Sequence, residues 1–169
     1  MLETLLLASE NKANAFNINP EALKTWVLEK KFRSNDFSFL NLIKTDSEMS
    51  ILSEACLQCF KLSASFSDTI QILELCTELM LINSETKILQ NCENLISWKS
   101  ALKQLRYPQT TQSDSVLKEK LESLSWPYGS KIKFERRGDR AGIELKLFIS
   151  SSSDLTKVIS SLERVKENI

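Results

Sequence analysis

Apolar residues recur at three- and four-residue spacing through most of the chain and then give way to strict alternation, so the sequence predicts a long helical region followed by a short β element. Asn19-Pro20 reads as an N-cap with proline at the first helical position, and Leu23, Trp26 and Val27 follow on one face of a helix that ends near Lys30-Lys31. Ser34-Asn35-Asp36 offers further capping side chains ahead of Phe37, Phe39, Leu40, Leu42 and Ile43. Asp46-Ser47 starts the next helix, with Ile51, Leu52, Ala55, Cys59 and Leu62 on its apolar side. Ser63 to Asp68 interrupts the pattern. From Ile70 to Ile82 apolar residues wrap most of the way round, which predicts the most buried helix of a bundle. A further helix over Glu85 to Leu105 carries Ile88, Leu89, Leu95, Ile96, Trp98, Leu102 and Leu105, and Tyr107-Pro108 is expected to stop it.

Beyond that point the period changes. Gln109 to Ser115 is polar and is read as a linker. Val116, Leu117, Leu121 and Leu124 mark a helix, and Trp126-Pro127-Tyr128-Gly129 turns the chain. Ile132 and Phe134 alternate with Lys131, Lys133 and Glu135 as a first strand. In a second strand Ile143, Leu145, Leu147 and Ile149 point one way, while Glu144, Lys146 and Phe148 point the other. Arg136 to Gly142 is expected to join the two as a hairpin. Ser151 to Asp154 supplies caps for a last helix with the stripe Leu155, Val158, Ile159, Leu162 and Val165. The fold class is therefore α+β: a helical bundle over residues 1–108, a linker over 109–115, and a small α-β-β-α domain over 116–169.

Composition narrows the chemistry. All three glycines, Gly129, Gly138 and Gly142, lie in the β element, and the chain has no histidine. Phosphate-cradling glycine loops and histidine-based nucleophile pairs are thereby removed, so no catalytic residue, cofactor or small-molecule substrate is expected. Carboxylates such as Glu74 and Glu78 sit in a helical repeat, where solvated or capping roles suit them better than acid–base catalysis. Ser150 to Ser153 reads as a cap and turn. Cys56, Cys59, Cys76 and Cys92 include one C-x-x-C inside a helix and no second one, so buried thiols rather than a metal site are expected. Acidic and basic residues balance at 22 each, so any electrostatic role is local. The apolar run Leu5-Leu6-Leu7-Ala8 has no basic residue before it and is too short to span a bilayer, which makes a soluble cytoplasmic protein without a membrane partner the expectation.

Two resemblances bear on function. The run Ile51-Leu52-Ser53-Glu54-Ala55 through Lys61-Leu62-Ser63-Ala64-Ser65, with Ile72-Leu73-Glu74-Leu75 and Leu79 to Ile82, resembles the end of the helical collar in the gamma/tau subunit of the bacterial DNA polymerase III clamp loader. Leu5-Leu6-Leu7-Ala8 and Pro20-Glu21-Ala22-Leu23 sit where the earlier collar helices would fall. That family's P-loop and zinc-binding cysteines have no counterpart. The resemblance therefore implies a part without the motor, which assembles with other replication subunits by oligomerisation and protein binding. The tail, with Tyr128-Gly129-Ser130-Lys131-Ile132-Lys133, Gly142-Ile143-Glu144-Leu145 and Ser153-Asp154-Leu155, resembles the C-terminal dimerisation domain of the partition protein ParB. This second resemblance implies dimerisation through the tail and weak, non-specific DNA contact.

Between Gly129 and Lys146 there are six basic and three acidic residues, a net charge of +3. Lys131, Lys133, Arg136, Arg137, Arg140 and Lys146 are the DNA-contacting candidates that the ParB resemblance implies. Phe148, Leu155, Val158, Ile159, Leu162 and Val165 are the candidates for self-association with a second copy, because a hairpin with two short helices has a thin core. Trp26, Trp98 and Trp126 are expected in the core or at domain contacts rather than as a stacking platform.

Overall fold

In the computed structural model, residues 1–82, 87–90, 92–137 and 140–168 are described, and the chain divides into two compact units, Met1–Pro108 and Gln109–Ile169. The first is helical. It comprises α1 (Leu2–Ala13), α2 (Pro20–Lys30), α3 (Asp46–Lys61), α4 (Phe66–Leu81) and α5 (Leu95–Arg106), with 3₁₀ segments at Asn14–Phe16 and Ser34–Leu42.

Local chemistry sets each start. Asn19 Oδ1 accepts from the Glu21 N–H at 2.9 Å ahead of Pro20. Thr45 and Glu48 form a capping box, the Thr45 hydroxyl accepting from Glu48 N–H at 3.2 Å and the Glu48 carboxylate from Thr45 N–H at 2.8 Å. Caps of this kind contribute about 1 kcal/mol each. α4 begins at Phe66, earlier than the apolar periodicity predicts, because the Ser65 hydroxyl caps the Asp68 N–H at 3.1 Å. Ser63 makes the connection with a left-handed φ of 51°.

α4 packs against α3, α5 and the second 3₁₀ segment, while α1 packs on α3. Leu52, Ala55, Cys56, Leu57 and Cys59 from α3 meet a core that includes Ile72, Leu73, Cys76 and Leu79 from α4, all buried. The helix predicted over Glu85 to Leu105 is shorter than its periodicity implies. Glu85 lies outside the described residues, Ile88 to Gln90 form turns, and α5 starts only at Leu95, where Asn94 accepts from the Ile96 and Ser97 N–H groups. Trp98 binds that irregular connection to the core through its Nε1–H, which donates to the Ile88 carbonyl at 2.7 Å.

The second unit holds α6 (Pro108–Glu122) from its second residue onward, β1 (Lys131–Arg137), β2 (Arg140–Lys146) and α7 (Ser152–Asn168). Its α-β-β-α order completes an α+β chain. Pro108 opens α6 rather than closing a helix: proline has no N–H to lose at a first helical position, and Tyr107 before it is non-helical. The polar run Gln109 to Ser115, expected as a linker, is accordingly helical. β2 ends at Lys146, so Leu147 and Ile149 lie beyond the strand in which alternation placed them. Of the expected connection Arg136 to Gly142, Arg136, Arg137 and Arg140 to Gly142 belong to the paired strands, and Gly138 and Asp139 lie outside the described residues. No helix among the described residues is long and apolar enough to cross a membrane.

Candidate nucleic-acid interface

The antiparallel register sorts the hairpin's charges. Ile132 pairs with Leu145, Phe134 with Ile143 and Arg136 with Ala141, which puts these six on one face. The other face carries Lys131 opposite Lys146, Lys133 opposite Glu144, Glu135 opposite Gly142, and Arg137 opposite Arg140. Five of the six basic candidates therefore share a face. Arg136 is separated from them: half-buried on the apolar side, it makes a bidentate ion pair with Asp114 of α6, its Nε donating to Oδ2 at 2.8 Å and its Nη2 to Oδ1. Proximity in sequence groups it with the others, whereas strand parity assigns it to the face of Ile132 and Phe134.

On the shared face, like charges meet directly at both ends of the sheet. Lys131 faces Lys146 and Arg137 faces Arg140, arrangements that destabilise a strand pair. Compensation is partial. Arg137 pairs with Glu135 at 3.0 Å and Lys146 with Glu144 at 3.4 Å. The Arg137 guanidinium, hydrogen-bonded to Glu135, lowers that carboxyl below its ordinary range, with Lys133 adding to the effect. An open recess of about 630 Å³ lies over this part of the hairpin, bordered by Glu135, Arg137, Arg140 and Glu144, with Gly142 on the same face. Among the described residues a Cβ at Gly142 would meet nothing within 4 Å, so no packing among them demands glycine there. Glycine weakens a strand interior and often marks close approach by a ligand.

The Arg136–Asp114 pair has a structural role with a definite pH signature. Hydrogen bonding by the guanidinium holds the Asp114 carboxyl below its usual range. A carboxyl depressed in the folded state contributes stability that is present above its unfolded value of about 3.9 and is lost as pH falls through the folded value. Asp114→Asn is expected to lower the thermal midpoint at pH 7 and to flatten the decline of that midpoint below about pH 4. An unchanged acid limb in a thermal-melt pH series would contradict the assignment.

The association candidates also divide. Val165 is buried, Val158 and Leu162 are half-buried, and Leu155 and Ile159 remain 44% and 48% exposed. Among the described residues of this unit only Leu121, Pro127 and Val165 are buried, so the apolar stripe of α7 is incompletely covered. Phe148 is 90% exposed, and it borders a recess with Val158 and the Asp154, Lys157 and Ser161 side of α7. Helical geometry turns Leu155 and Ile159 to a different side. Phe148 thus does not extend the Leu155–Ile159 edge. Ser151 caps α7 by accepting from Asp154 N–H at 3.1 Å, and Ser150 donates to the Asp154 carboxylate at 2.6 Å.

No family model, curated protein or solved structure matches the chain. In the helical unit the polar clusters serve packing: Glu78 accepts from Arg106 Nε and from the Tyr107 hydroxyl, both at 2.9 Å, and Asp68 is bound by Lys99. Burial pushes the Cys56 thiol up to about 11 and raises Cys59 and Cys76 as well, so at neutral pH these three are packed as uncharged thiols. Among the described residues no cluster of His, Cys, Asp and Glu has the makings of a metal site.

Proposed function

We propose that this protein is a non-catalytic, DNA-associated assembly factor that acts through its C-terminal unit, in the manner the ParB resemblance implies. One hairpin face meets the phosphate backbone of duplex DNA, and the Leu155–Ile159 edge of α7 meets a second copy. The observation that carries this reading is the concentration of Lys131, Lys133, Arg137, Arg140 and Lys146 on a single face with like charges opposed at both ends. A polyanion relieves that repulsion. Contacts to phosphate carry no sequence information, so the binding is non-specific and salt-sensitive.

The test is duplex binding by the full chain across a salt series. Neutralising three to five phosphates predicts a slope of log K against log salt of about −3 to −4.5, or roughly a hundredfold loss between 50 and 200 mM. A slope near zero would remove the proposal.

The replication reading, a non-catalytic assembly subunit like the C-terminal part of clamp-loader gamma/tau, draws support from the helical unit instead. There Leu6, Leu23 and Val27 line an apolar groove of about 260 Å³, and Leu28 at its border is 76% exposed. Such a groove suits an apolar helix face of another subunit. The two readings separate by mass in solution: Ile159→Glu dissociates a partition-like assembly, whereas Leu28→Glu dissociates a collar-like one.

A further inference from the structure

The two most exposed large apolar side chains among the described residues are Tyr128, at 105%, and Phe148, at 90%. They are twenty positions apart in sequence but border the same recess, of about 480 Å³, together with Gly129, Lys157 and Val158. The hairpin explains the convergence. Its last pair is Lys131 with Lys146, so the residues just before β1 and just after β2 emerge side by side at its open end. Gly129, with φ of +77°, closes the Pro127–Ser130 turn, in which Ser130 N–H donates to the Pro127 carbonyl at 3.1 Å. An L side chain is strained at that φ, and a Cβ there would meet nothing within 4 Å, so glycine answers a backbone demand of the turn rather than packing.

A single exposed aromatic residue needs no explanation. Two that border one recess, with lysines at the adjoining strand ends and on α7, have a specific chemical complement. We propose that Tyr128 and Phe148 form a stacking site for unpaired bases, and that the flanking Lys131, Lys146 and Lys157 hold the phosphates of the same single strand. The bases of a duplex already stack on one another and offer no ring face to these side chains, whereas every unpaired base does. Charge argues against a second copy as occupant, because a two-fold partner would bring the same lysines to the same site. The carboxylate of Asp154, the acidic group on this rim, accepts from the Ser150 hydroxyl at 2.6 Å.

This ligand class goes beyond the duplex reading, although Lys131 and Lys146 serve both. The experiment compares three probes with the full chain at fixed salt: oligo(dT), an abasic oligomer of equal length and charge, and a duplex. Each stacked base contributes about five- to a hundredfold in affinity. The wild-type chain is therefore expected to bind oligo(dT) at least tenfold tighter than the abasic oligomer. Tyr128→Ala with Phe148→Ala should erase that difference and leave duplex affinity within about twofold, and Tyr128→Phe with Phe148→Tyr should restore it. Equal affinity of the wild type for oligo(dT) and the abasic oligomer overturns the proposal, whatever the duplex result. So does a double variant that loses duplex and single-strand binding in parallel, or one that converts a dimer to a monomer, since the rings would then be serving the fold or a second copy. Failure of duplex binding alone would remove the duplex reading and leave the stacking site standing.

Discussion

Trp98→Ala is expected to destabilise the helical unit by about 3–5 kcal/mol, a large fraction of the ~5–15 kcal/mol that holds a domain folded. Trp98 is fully buried, and its partner residue Ile88 is buried as well. Removing the indole leaves a cavity between α5 and the core. It also leaves the Ile88 carbonyl without the donor that now binds it at 2.7 Å. The two losses can be separated. Trp98→Phe retains most of the apolar volume and loses only the donor, for which an unpaired buried carbonyl costs about 1–3 kcal/mol. Urea unfolding of the full chain, followed by far-ultraviolet circular dichroism, measures both variants, with the slope of the helical transition expected to stay near that of the wild type. A cost below about 1 kcal/mol for the alanine variant would mean that this hydrogen bond and this side chain do not fasten the irregular connection before α5.

That connection also marks where the sequence ceases to be legible. Periodicity locates α3 and α4 because each buries a stripe on neighbours, and it locates α7 because that helix carries such a stripe although it is only partly covered. The same signal extends α5 backward over Ile88 and Leu89, since an apolar residue held in a turn by a tryptophan reads the same as one on a helix face. The capping box at Thr45 and Glu48 is legible as a T-x-x-E pattern, yet Asp46-Ser47 beside it offers equally good capping side chains and masks it. Pro108 is ambiguous in principle: proline ends one helix and begins another by the same chemistry, and the polar residues after it carry no apolar stripe to reveal α6.

The hairpin face is half legible. Alternation predicts the strands, and its parity contains the separation of Arg136 from its basic neighbours. Net charge counted along the segment conceals it, because a count has no faces. What no local pattern encodes is the partner: Asp114 lies twenty-two positions from Arg136, and only the packing of α6 brings them together. The convergence of Tyr128 and Phe148 is likewise a consequence of register, invisible until the pair Lys131–Lys146 is known.

Lys131→Glu combined with Lys133→Glu is expected to lower duplex affinity by roughly a hundredfold or more at 50 mM salt. Every phosphate that is no longer neutralised removes about 0.9 from the salt slope, which at that concentration corresponds to about tenfold in affinity. Charge reversal adds repulsion to this. Both lysines are exposed on β1, so the exchange leaves the hairpin's apolar side untouched. It brings one carboxylate opposite Lys146 and another opposite Glu144, removing one like-charge pair and creating another, so stability should stay near that of the wild type. Arg136→Gln supplies the contrast. It removes a positive charge from the same strand but from the other face, where the guanidinium is engaged by Asp114. Its duplex affinity is expected to stay within about threefold of wild type, while the acid dependence tied to Asp114 disappears. If the charge mattered only as a sum over the segment, Arg136→Gln would weaken binding as much as neutralising Lys133 does. Anisotropy titrations of Lys131→Glu/Lys133→Glu, Lys133→Gln and Arg136→Gln with one labelled duplex therefore distinguish a binding face from a merely basic turn.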